Sequence, residues 1–348
     1  MDLIDMLRSA RDQNASDLIL SAGAPVAVRI NGQLIMGRSA PLTAEQTKKL
    51  LYEILKTVQI ARFEKDKELD FSFSLDAAVR VRGNAFWQRS SIGAAFRLIT
   101  NNIPPFESLG LPAIIEEFAM APQGLVLVTG PTGHGKSTTQ AAMIDLINTR
   151  RKTHIVTIED PIEFLHTNKK SIIEQREVGE DTNSFAEALH HVLREAPDVI
   201  LIGEMRDPES IGAALTAAET GHLVIATLHT NDCVQAIDRL IDVFPGHQQP
   251  QVRGQLSMSL LAVLAQRLLA KADGSGRIPA VEILRSTPAV SNLIRESMTH
   301  QLYAIMETQA KAGMRTMDAA LKQLYLQGAV TYDEVKARMR IPAMLDRA

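Results

Sequence analysis

Eight consecutive residues, Gly-Pro-Thr-Gly-His-Gly-Lys-Ser at positions 130 to 137, have the types and spacing of a phosphate-binding loop. Glycines allow backbone N–H groups to converge on phosphate oxygens, and the N-terminus of a following helix adds partial positive charge. The lysine is expected to reach the β- and γ-phosphates, and the serine hydroxyl to bind Mg²⁺. The residues expected to bind nucleotide are Gly130, Pro131, Thr132, Gly133, His134, Gly135, Lys136, Ser137 and Thr138.

The surroundings of this loop are those that the motif requires. An apolar run at 125–128 precedes it and a helical pattern at 138–147 follows it. His134 is unusual inside such a loop. We interpret it as a position that tolerates any side chain because the side chain points outward, and we assign it no special role.

Carboxylates follow two other apolar runs, and phosphoryl transfer needs one to orient water and another near the metal. One run ends in Gly203-Glu204, where the usual aspartate is replaced by glycine, so Glu204 is expected to hold the Mg²⁺ shell through water. The other leads into Glu159, Asp160 and Glu163. Glu159 and Asp160 are equally consistent with solvated loop acids. Glu163, beside a proline, is our candidate for the general base.

Two histidines, His222 and His229, flank the apolar run 223–228. Their spacing of seven places them on opposite faces of a regular strand, so a shared zinc site is not expected. His229, at the carboxyl end, is the better candidate for sensing the γ-phosphate. A structural role for either histidine is equally consistent with the pattern.

The elements that position these groups follow from the apolar pattern. In the second part of the chain, apolar runs alternate with helical stretches, which predicts a parallel sheet covered on both faces. The first hundred residues indicate a small α/β unit. Asn31-Gly32 predicts a hairpin turn, and Thr43 to Gln46 form a capping box that opens a helix with Leu50 and Val58 on one side.

A break at Asn101-Asn102-Ile103-Pro104-Pro105 separates the two parts, because neither a helix nor a central strand accommodates this sequence. We therefore predict an α/β protein with an N-terminal domain at 1–100 and a linker at 101–112. A core that carries the phosphate loop is predicted at 113–285 and a helical C-terminal region at 286–348.

Composition excludes several classes. A chain of 348 residues predicts about two domains, and its net charge of −3 argues against a general nucleic-acid binder. Cys233 is the single cysteine, which excludes an intrachain disulfide and a cysteine zinc cluster and suits a reducing cytosol. The N-terminus does not resemble a signal peptide, and the apolar stretch 256–270 is too short and polar to span a bilayer. We expect a soluble, intracellular protein.

Four ordered segments resemble the Walker A, Asp, Walker B and His boxes of the type II/IV secretion ATPase superfamily. A fifth, Asn292 to Glu296, resembles a motif associated with retraction in its subgroup of type IV pilus retraction ATPases. The resemblance covers nearly the whole chain, from Ser16 to beyond Met314. The four boxes are at 130–137, 157–164, 203–207 and 219–230.

The resemblance implies a cytoplasmic homo-hexamer, peripherally associated with the inner membrane, with a PAS-like N-terminal domain and a RecA-like C-terminal domain. ATP would bind between these domains, and its Mg²⁺-dependent hydrolysis would move neighbouring subunits. The motor would drive type IV pilus retraction, and therefore pilus disassembly and twitching motility. Its partners would be an inner-membrane platform protein and the pilin machinery.

The same resemblance implies roles for individual residues. Glu163 would be the catalytic base and Glu204 the Walker B acid. His222 and His229 would sit near the nucleotide and couple it to the ring. Two arginines of the N-terminal domain would reach the phosphates, because arginine forks stabilise charge on a transferred phosphoryl group. These are Arg82 and Arg97.

Three positions depart from the family pattern. His134 replaces a small serine of the phosphate loop, and Ala196 stands where an aspartate is usual. Ile19 occupies the position of a histidine. None of these changes removes a group that the chemistry needs.

The sequence disfavours three alternatives to a retraction motor. A pilus assembly or type II secretion ATPase usually carries a long N-terminal extension and a Cys-x-x-Cys zinc module, whereas this chain begins at the PAS-like unit and one cysteine cannot supply four ligands. A DNA-translocating RecA-like motor is disfavoured by the net charge and by 4% aromatic residues. An inactive ATP-binding regulator is disfavoured by the intact Lys136, Glu163 and Glu204.

Overall fold

The computed structural model describes residues 2–30, 33–76, 79–100 and 102–345. They form two compact units. The first comprises the residues up to Asn102 together with Glu163–Leu165, and the second comprises Ile103–Ile162 and the chain from His166 onward.

The first unit is an α/β structure built on an antiparallel sheet with the strand order β3-β2-β1-β6-β5-β4. Alternate residues of β4, β5 and β6 are buried and pack with α1 and α2 in one apolar core. Its elements are α1 (Leu3–Asp12), β1 (Asp17–Ser21), β2 (Ala27–Ile30), β3 (Gln33–Met36), α2 (Ala44–Tyr52), α3 (Thr57–Asp66), β4 (Glu68–Ser74), β5 (Val79–Gln88) and β6 (Ser91–Thr100).

Of the local predictions made for this unit, one is confirmed, one is wrong and one lies outside the described residues. The predicted capping box is present, because Thr43 and Gln46 each accept a hydrogen bond from the other's backbone N–H. The helix that it opens ends at Tyr52, and Val58 lies in α3 with 80% of its surface exposed, so the prediction of one continuous apolar face through Val58 is wrong. The predicted Asn31-Gly32 turn lies outside the described residues, and the strands on either side of it pair antiparallel.

The second unit contains the sheet that carries the candidate site. Its strand order is β13-β12-β7-β11-β10-β8-β9, and every neighbouring pair is parallel except β12 with β13. Its elements are α4 (Ile114–Ala119), β7 (Gly124–Thr129), α5 (Lys136–Arg150), β8 (His154–Glu159), β9 (Ile172–Glu177), α6 (Phe185–Val192), β10 (Val199–Ile202), α7 (Pro208–Glu219), β11 (Leu223–Leu228), α8 (Cys233–Asp242), α9 (Gln249–Ser259), β12 (Leu260–Ala270), β13 (Arg277–Arg285), α10 (Pro288–Arg295), α11 (Leu302–Thr308), α12 (Met317–Leu326) and α13 (Tyr332–Lys336), with short 3-10 turns at Phe106–Leu109, Thr299–Gln301, Ala310–Ala312 and Pro342–Met344.

The central strands of this sheet are buried on both faces. In β7, Leu125 and Leu127 belong to one apolar cluster, whereas Val126 and Val128 belong to another on the opposite face. This pattern requires helices on both sides of the sheet, and it confirms the predicted α/β class with a largely parallel sheet. The sequence patterns did not predict β9, β12 or β13.

The boundary region differs from the predicted linker at 101–112. Residues from Ile103 onward belong to the second unit, and Phe106 packs beside Ile115 and Phe118 in its core. The C-terminal region is helical, and α12 and α13 contribute Leu321 and Val335 to a cluster with β12 and β13. Across the described ranges, no helix combines the length and apolar character needed to cross a bilayer.

Candidate active site

The phosphate loop leaves the carboxyl end of β7 and enters α5 directly. Lys136, Ser137 and Thr138 are the first three residues of that helix, and the other predicted nucleotide-binding residues form the loop before it. Gly130 has a φ of +140°, and a Cβ there would collide with the carbonyl oxygen of Gln266. Glycine is therefore needed because the loop backbone turns sharply and lies against β12.

The lysine side chain lies within the curve of this loop. Its Nζ donates hydrogen bonds to the carbonyl oxygens of Gly130 at 2.8 Å and Pro131 at 3.0 Å, and 6% of the residue is exposed. A buried ammonium group beside a loop of glycines supplies positive charge where the N-terminus of α5 also points. This combination fits a bound phosphate chain.

Residues of β12 and β13 support the loop from outside, and sequence patterns missed them. The Gln266 Nε2 donates to the His134 carbonyl oxygen at 2.9 Å, and its Oε1 accepts from the Thr139 hydroxyl at 2.8 Å. The Arg277 guanidinium donates to the Gly133 carbonyl oxygen at 3.2 Å. The available signal was the glutamine inside an otherwise apolar run, since a buried polar side chain needs a partner.

The interpretation of His134 as an outward-pointing side chain is wrong. The residue is half-buried, and its Nδ1 accepts a hydrogen bond from the Leu268 backbone N–H at 2.9 Å. Partial burial, together with Arg267 and Lys136, lowers the pKa of His134, so the neutral imidazole is favoured. This side chain fastens the loop to β12.

Two more candidate residues meet at the carboxyl ends of β10 and β11, the two strands that follow β7 in the order of the sheet. Glu204 follows β10, and its Oε2 lies 3.5 Å from the His229 Nε2 and 2.8 Å from the Arg206 Nη2. Burial and the Lys136 charge lower the pKa of His229, while Glu204 opposes the shift. Lys136, Glu204 and His229 therefore lie close together, and Arg206 joins them as a residue that the motifs did not predict.

Gly203 stands where the usual metal-side aspartate would be. Its N–H donates to the Ile158 carbonyl oxygen at 2.8 Å, and a Cβ on it would lie 3.1 Å from the Glu159 Cα. Such a separation is tight for a carbon contact, so glycine permits the ends of β8 and β10 to approach. Glu204 remains as the acid of this strand end.

The structure separates the two histidines of the His box. His222 precedes β11 at the amino edge of the sheet, where its Nδ1 contacts the Ala217 carbonyl oxygen at 2.9 Å. β11 and β7 are parallel in register, so His222 is about 20 Å from the loop edge, at about 3.3 Å per residue along the strand. The structure therefore does not bring His222 to the phosphate loop of its own chain, and the expectation that it sits near the nucleotide stays a prediction.

The acids after β8 divide between two environments. The Glu159 Oε1 accepts from the Thr157 hydroxyl at 2.7 Å and from the Gln175 amide at 3.2 Å, so this side chain is held at the end of the strand. Buried Glu177 accepts from the Ile162 N–H at 3.1 Å and fixes the turn that follows. Glu163, the candidate base, is exposed and lies in the short segment that belongs to the first unit.

The two candidate arginines are brought together within the first unit. Arg82 on β5 lies directly opposite Arg97 on β6, so both side chains leave the same face of the sheet. Both residues are exposed, and the Arg97 Nε donates to Asp17 Oδ1 at 3.1 Å. Asp17 also faces Arg29 across β1 and β2, which extends this charged row beyond the two residues predicted.

The donor chemistry fits the predicted magnesium ion. Ser137 offers a hydroxyl at the start of α5 and Glu204 a carboxylate at the end of β10, and Mg²⁺ prefers oxygen ligands. Magnesium in nucleotide sites takes one or two protein oxygens and completes its shell with phosphates and water. These two residues would hold it through such an incomplete protein shell.

Comparisons with known proteins agree with this arrangement. Residues 2–337 match the family described as "Type II/IV secretion system protein". The chain is 47% identical to a Pseudomonas aeruginosa protein named "Type IV pilus retractation ATPase PilT", over 98% of this chain and 99% of that protein. It is 45% identical to a "Twitching motility protein" of Neisseria gonorrhoeae, over 97% of this chain and 90% of that one.

A solved structure is similar along its whole length. It is described as "Crystal Structure of the Pilus Retraction Motor PilT and Bound ADP", and it superposes with a TM-score of 0.93 at 46% identity, covering 100% of both chains. The likeness therefore extends over both units of this chain.

Proposed function

The chain belongs to the type II/IV secretion system protein family, and we propose that it is an ATPase motor that drives the retraction of type IV pili. The observation that carries the ATPase activity is the phosphate loop, with the Lys136 ammonium inside it and Glu204 and His229 at the neighbouring strand ends. The direction of work, retraction, is supported by near-complete alignment with proteins named for retraction and twitching.

Each residue has a proposed task in hydrolysis. Lys136 binds the β- and γ-phosphates, while loop N–H groups orient them. Ser137 and Glu204 hold Mg²⁺, which would supply positive charge to the phosphate oxygens. Glu163 accepts the proton of the attacking water, an assignment supported by the resemblance of 157–164 to the Asp box. His229 senses the γ-phosphate through its pairing with Glu204.

The arginines of the first unit have an electrostatic task. Arg82 and Arg97 would bind the transferred phosphoryl group, because a planar guanidinium donates two parallel hydrogen bonds to phosphate oxygens. Their position side by side on one exposed face supports a shared role. His222, which lies at the far edge of the sheet, is left out of the site of its own chain.

We further infer that the protein works as a homo-hexamer at the cytoplasmic side of the inner membrane, where an integral platform protein would receive the motion. Nucleic acid is not expected as a partner. The family membership supports this assembly, since coordinated hydrolysis in a ring converts the chemical step into movement of neighbouring subunits.

The test separates ATP hydrolysis from the direction of work. Phosphate release by the purified protein with Mg²⁺-ATP is compared with that of Lys136→Ala, after both proteins are shown to have the same oligomeric state. Equal release would refute the ATPase assignment. The wild-type gene and the Lys136→Ala gene are then expressed in a host that extends pili but cannot retract them. Shortening of fibres with the wild type alone is expected, and fibre growth instead would indicate an assembly motor.

A further inference from the structure

The phosphate loop lies against strand β12, which extends beyond the end of β7, the strand from which the loop leaves. β12 pairs with β7 as far as Ala265 opposite Thr129, which is the last residue of β7. β12 then continues to Ala270, still paired with β13, alongside the space into which the loop turns. The loop therefore lies against an extended strand whose β7 partner has ended.

The contact between loop and strand is close at several points. A Cβ on Gly135 would lie 2.9 Å from the Gln266 Nε2 and 3.3 Å from the Leu268 Cδ1. Two backbone carbonyl oxygens of the loop, those of Gly133 and His134, accept hydrogen bonds from Arg277 and Gln266. The His134 imidazole adds a side-chain bond to the same surface.

The His134 side chain takes the place that a carbonyl oxygen of a neighbouring strand would have beside β12. The Leu268 N–H lies beyond the last β7 pair, where a neighbouring strand would otherwise supply a carbonyl oxygen. The His134 Nδ1 accepts from it at 2.9 Å. Because buried backbone donors need an acceptor, this bond satisfies the strand and fixes the middle of the loop at once.

We propose that His134 is a positioning residue for nucleotide binding: its Nδ1 anchors the loop to β12 and so fixes the N–H groups of Gly133–Gly135 toward the phosphates of a nucleoside di- or triphosphate. The inference rests on the proposed nucleotide site and deepens it. Anchoring raises affinity because a loop that is already ordered loses less freedom when the ligand binds.

The protonation state of the imidazole controls this anchor. Nδ1 accepts a hydrogen bond, so it carries no proton, and the neutral ring bears its proton on Nε2. A protonated ring donates from both nitrogens and cannot accept from Leu268. The charged groups that face it are cationic and disfavour protonation: Arg267 on β12, Lys136 on α5, Arg277 on β13 and Arg338 after α13.

Two substitutions isolate the acceptor atom. His134→Ala removes it, whereas His134→Asn places the amide Oδ1 near the position of Nδ1 and does not titrate. The affinity of the full-length proteins for Mg²⁺-ADP is measured by calorimetry from about pH 4.5 to 8, which extends below the range of an ordinary histidine because the pKa of His134 is lowered. His134→Ala is expected to bind about fivefold more weakly at pH 8, the effect of one neutral hydrogen bond.

The expected pattern across pH is specific to an acceptor. The ratio of wild-type to His134→Asn affinity should fall as the pH decreases, because the wild type loses its anchor and the asparagine keeps one. Titration of the ADP phosphates and of His229 is common to both proteins and cancels in this ratio. A constant ratio across the range would overturn the proposal, as would failure of His134→Asn to recover the affinity lost in His134→Ala.

A second measurement does not depend on nucleotide. Exchange of the Leu268 amide hydrogen in the protein alone should be slow in wild type and in His134→Asn, and faster in His134→Ala. If the wild type fails to bind ADP, the proposed function fails while the amide exchange still reports the anchor. Equal exchange rates in all three proteins would show that the side chain at position 134 does not protect the Leu268 N–H, and this would refute the proposed anchor.

Discussion

Two histidines at opposite ends of one strand have different surroundings. His229 follows the carboxyl end of β11, pairs with Glu204 and lies near Lys136. His222 precedes the amino end, where it contacts the backbone carbonyl oxygen of Ala217 and the Thr220 hydroxyl. Parallel strands send their carboxyl ends to a common edge, so the same residue type becomes part of the chemistry at one end and part of a turn at the other.

Other polar groups follow the same division. At the amino edge, Asp198 accepts from the His154 N–H at 2.8 Å and ties the start of β8 to the start of β10. At the carboxyl edge, the Thr129 hydroxyl donates to the Thr230 carbonyl oxygen at 2.7 Å and joins the base of the phosphate loop to the segment after His229. We therefore expect substitutions at the carboxyl edge to change activity and those at the amino edge to change stability.

The largest expected effect is at the carboxyl edge. Glu204→Gln should lower turnover about a thousandfold, the effect of removing one charged group that stabilises a transition state, while nucleotide binding is retained. Phosphate release and ADP affinity measure the two quantities. Glu209→Gln, an exposed acid five residues away in α7, is the matched control. Turnover in Glu204→Gln equal to that of the control would refute the assigned role.

His166 is expected to be an exception to this division between the two edges of the sheet. It follows the carboxyl end of β8, yet we expect it to affect stability. Burial lowers its pKa to about 4, and its Nδ1 is buried without a hydrogen-bond partner among the described residues. Between the ordinary histidine pKa of 6.5 and this lowered value, the unfolded chain binds the proton and the folded chain does not. The free energy of unfolding should therefore fall by up to about 3 kcal/mol as the pH decreases across this interval.

Denaturant unfolding at several pH values checks this expectation. His166→Gln should remove most of that dependence, whereas the exposed His300→Gln should leave it unchanged. If the free energy of unfolding of His166→Gln falls with pH as much as that of the wild type, groups other than His166 cause the loss of stability.

The histidine pair itself gives a smaller effect. His229→Asn should lower turnover about a hundredfold, because it removes the imidazole beside Glu204, and this is the low end of the effect of a group that assists proton transfer. His222→Asn should leave ADP affinity within about twofold and lower the free energy of unfolding by about 1 kcal/mol through the lost turn contact. Steady-state kinetics, calorimetry and thermal melts distinguish these results. A loss of ADP affinity in His222→Asn would break the comparison.

The smallest effect is expected at Ala196, before β10 at the amino edge. Its φ of +53° lies in the left-handed region, which costs an alanine free energy and a glycine little. Ala196→Gly should raise the free energy of unfolding by about 0.5–1 kcal/mol without changing turnover. Ala304→Gly, in the exposed part of α11, should lower it by about the same amount. A lower melting temperature for Ala196→Gly than for the wild type would contradict the claim that the backbone at Ala196 is strained.

Sequence patterns predicted what depends on local order. The loop from Gly130 to Ser137, the buried β7 and the acid after β10 follow from spacing and periodicity alone, because each motif is contiguous. The fold class followed from the alternation of apolar runs with helical stretches.

The missed features depend on which strands become neighbours. Gln266 and Arg277 are more than 120 residues from the loop in sequence, and their role arises because β12 pairs with β7. His134 was misjudged for the same reason, since its acceptor role requires the Leu268 N–H beside it. His222 lies at the amino end of β11, as its place before the apolar run indicated, whereas the resemblance of motifs implied a place near the nucleotide.

The cross-strand pair of Arg82 and Arg97 has an energetic consequence for the free protein. Like charges directly opposite each other on neighbouring strands repel, and Asp17 offsets only part of this repulsion through Arg97. Salt screens such exposed charges over a distance of about 8–10 Å at physiological ionic strength. The repulsion between the two arginines therefore lowers the stability of this sheet, and the loss becomes smaller as the salt concentration rises. An anion bound on this face would reduce the same repulsion.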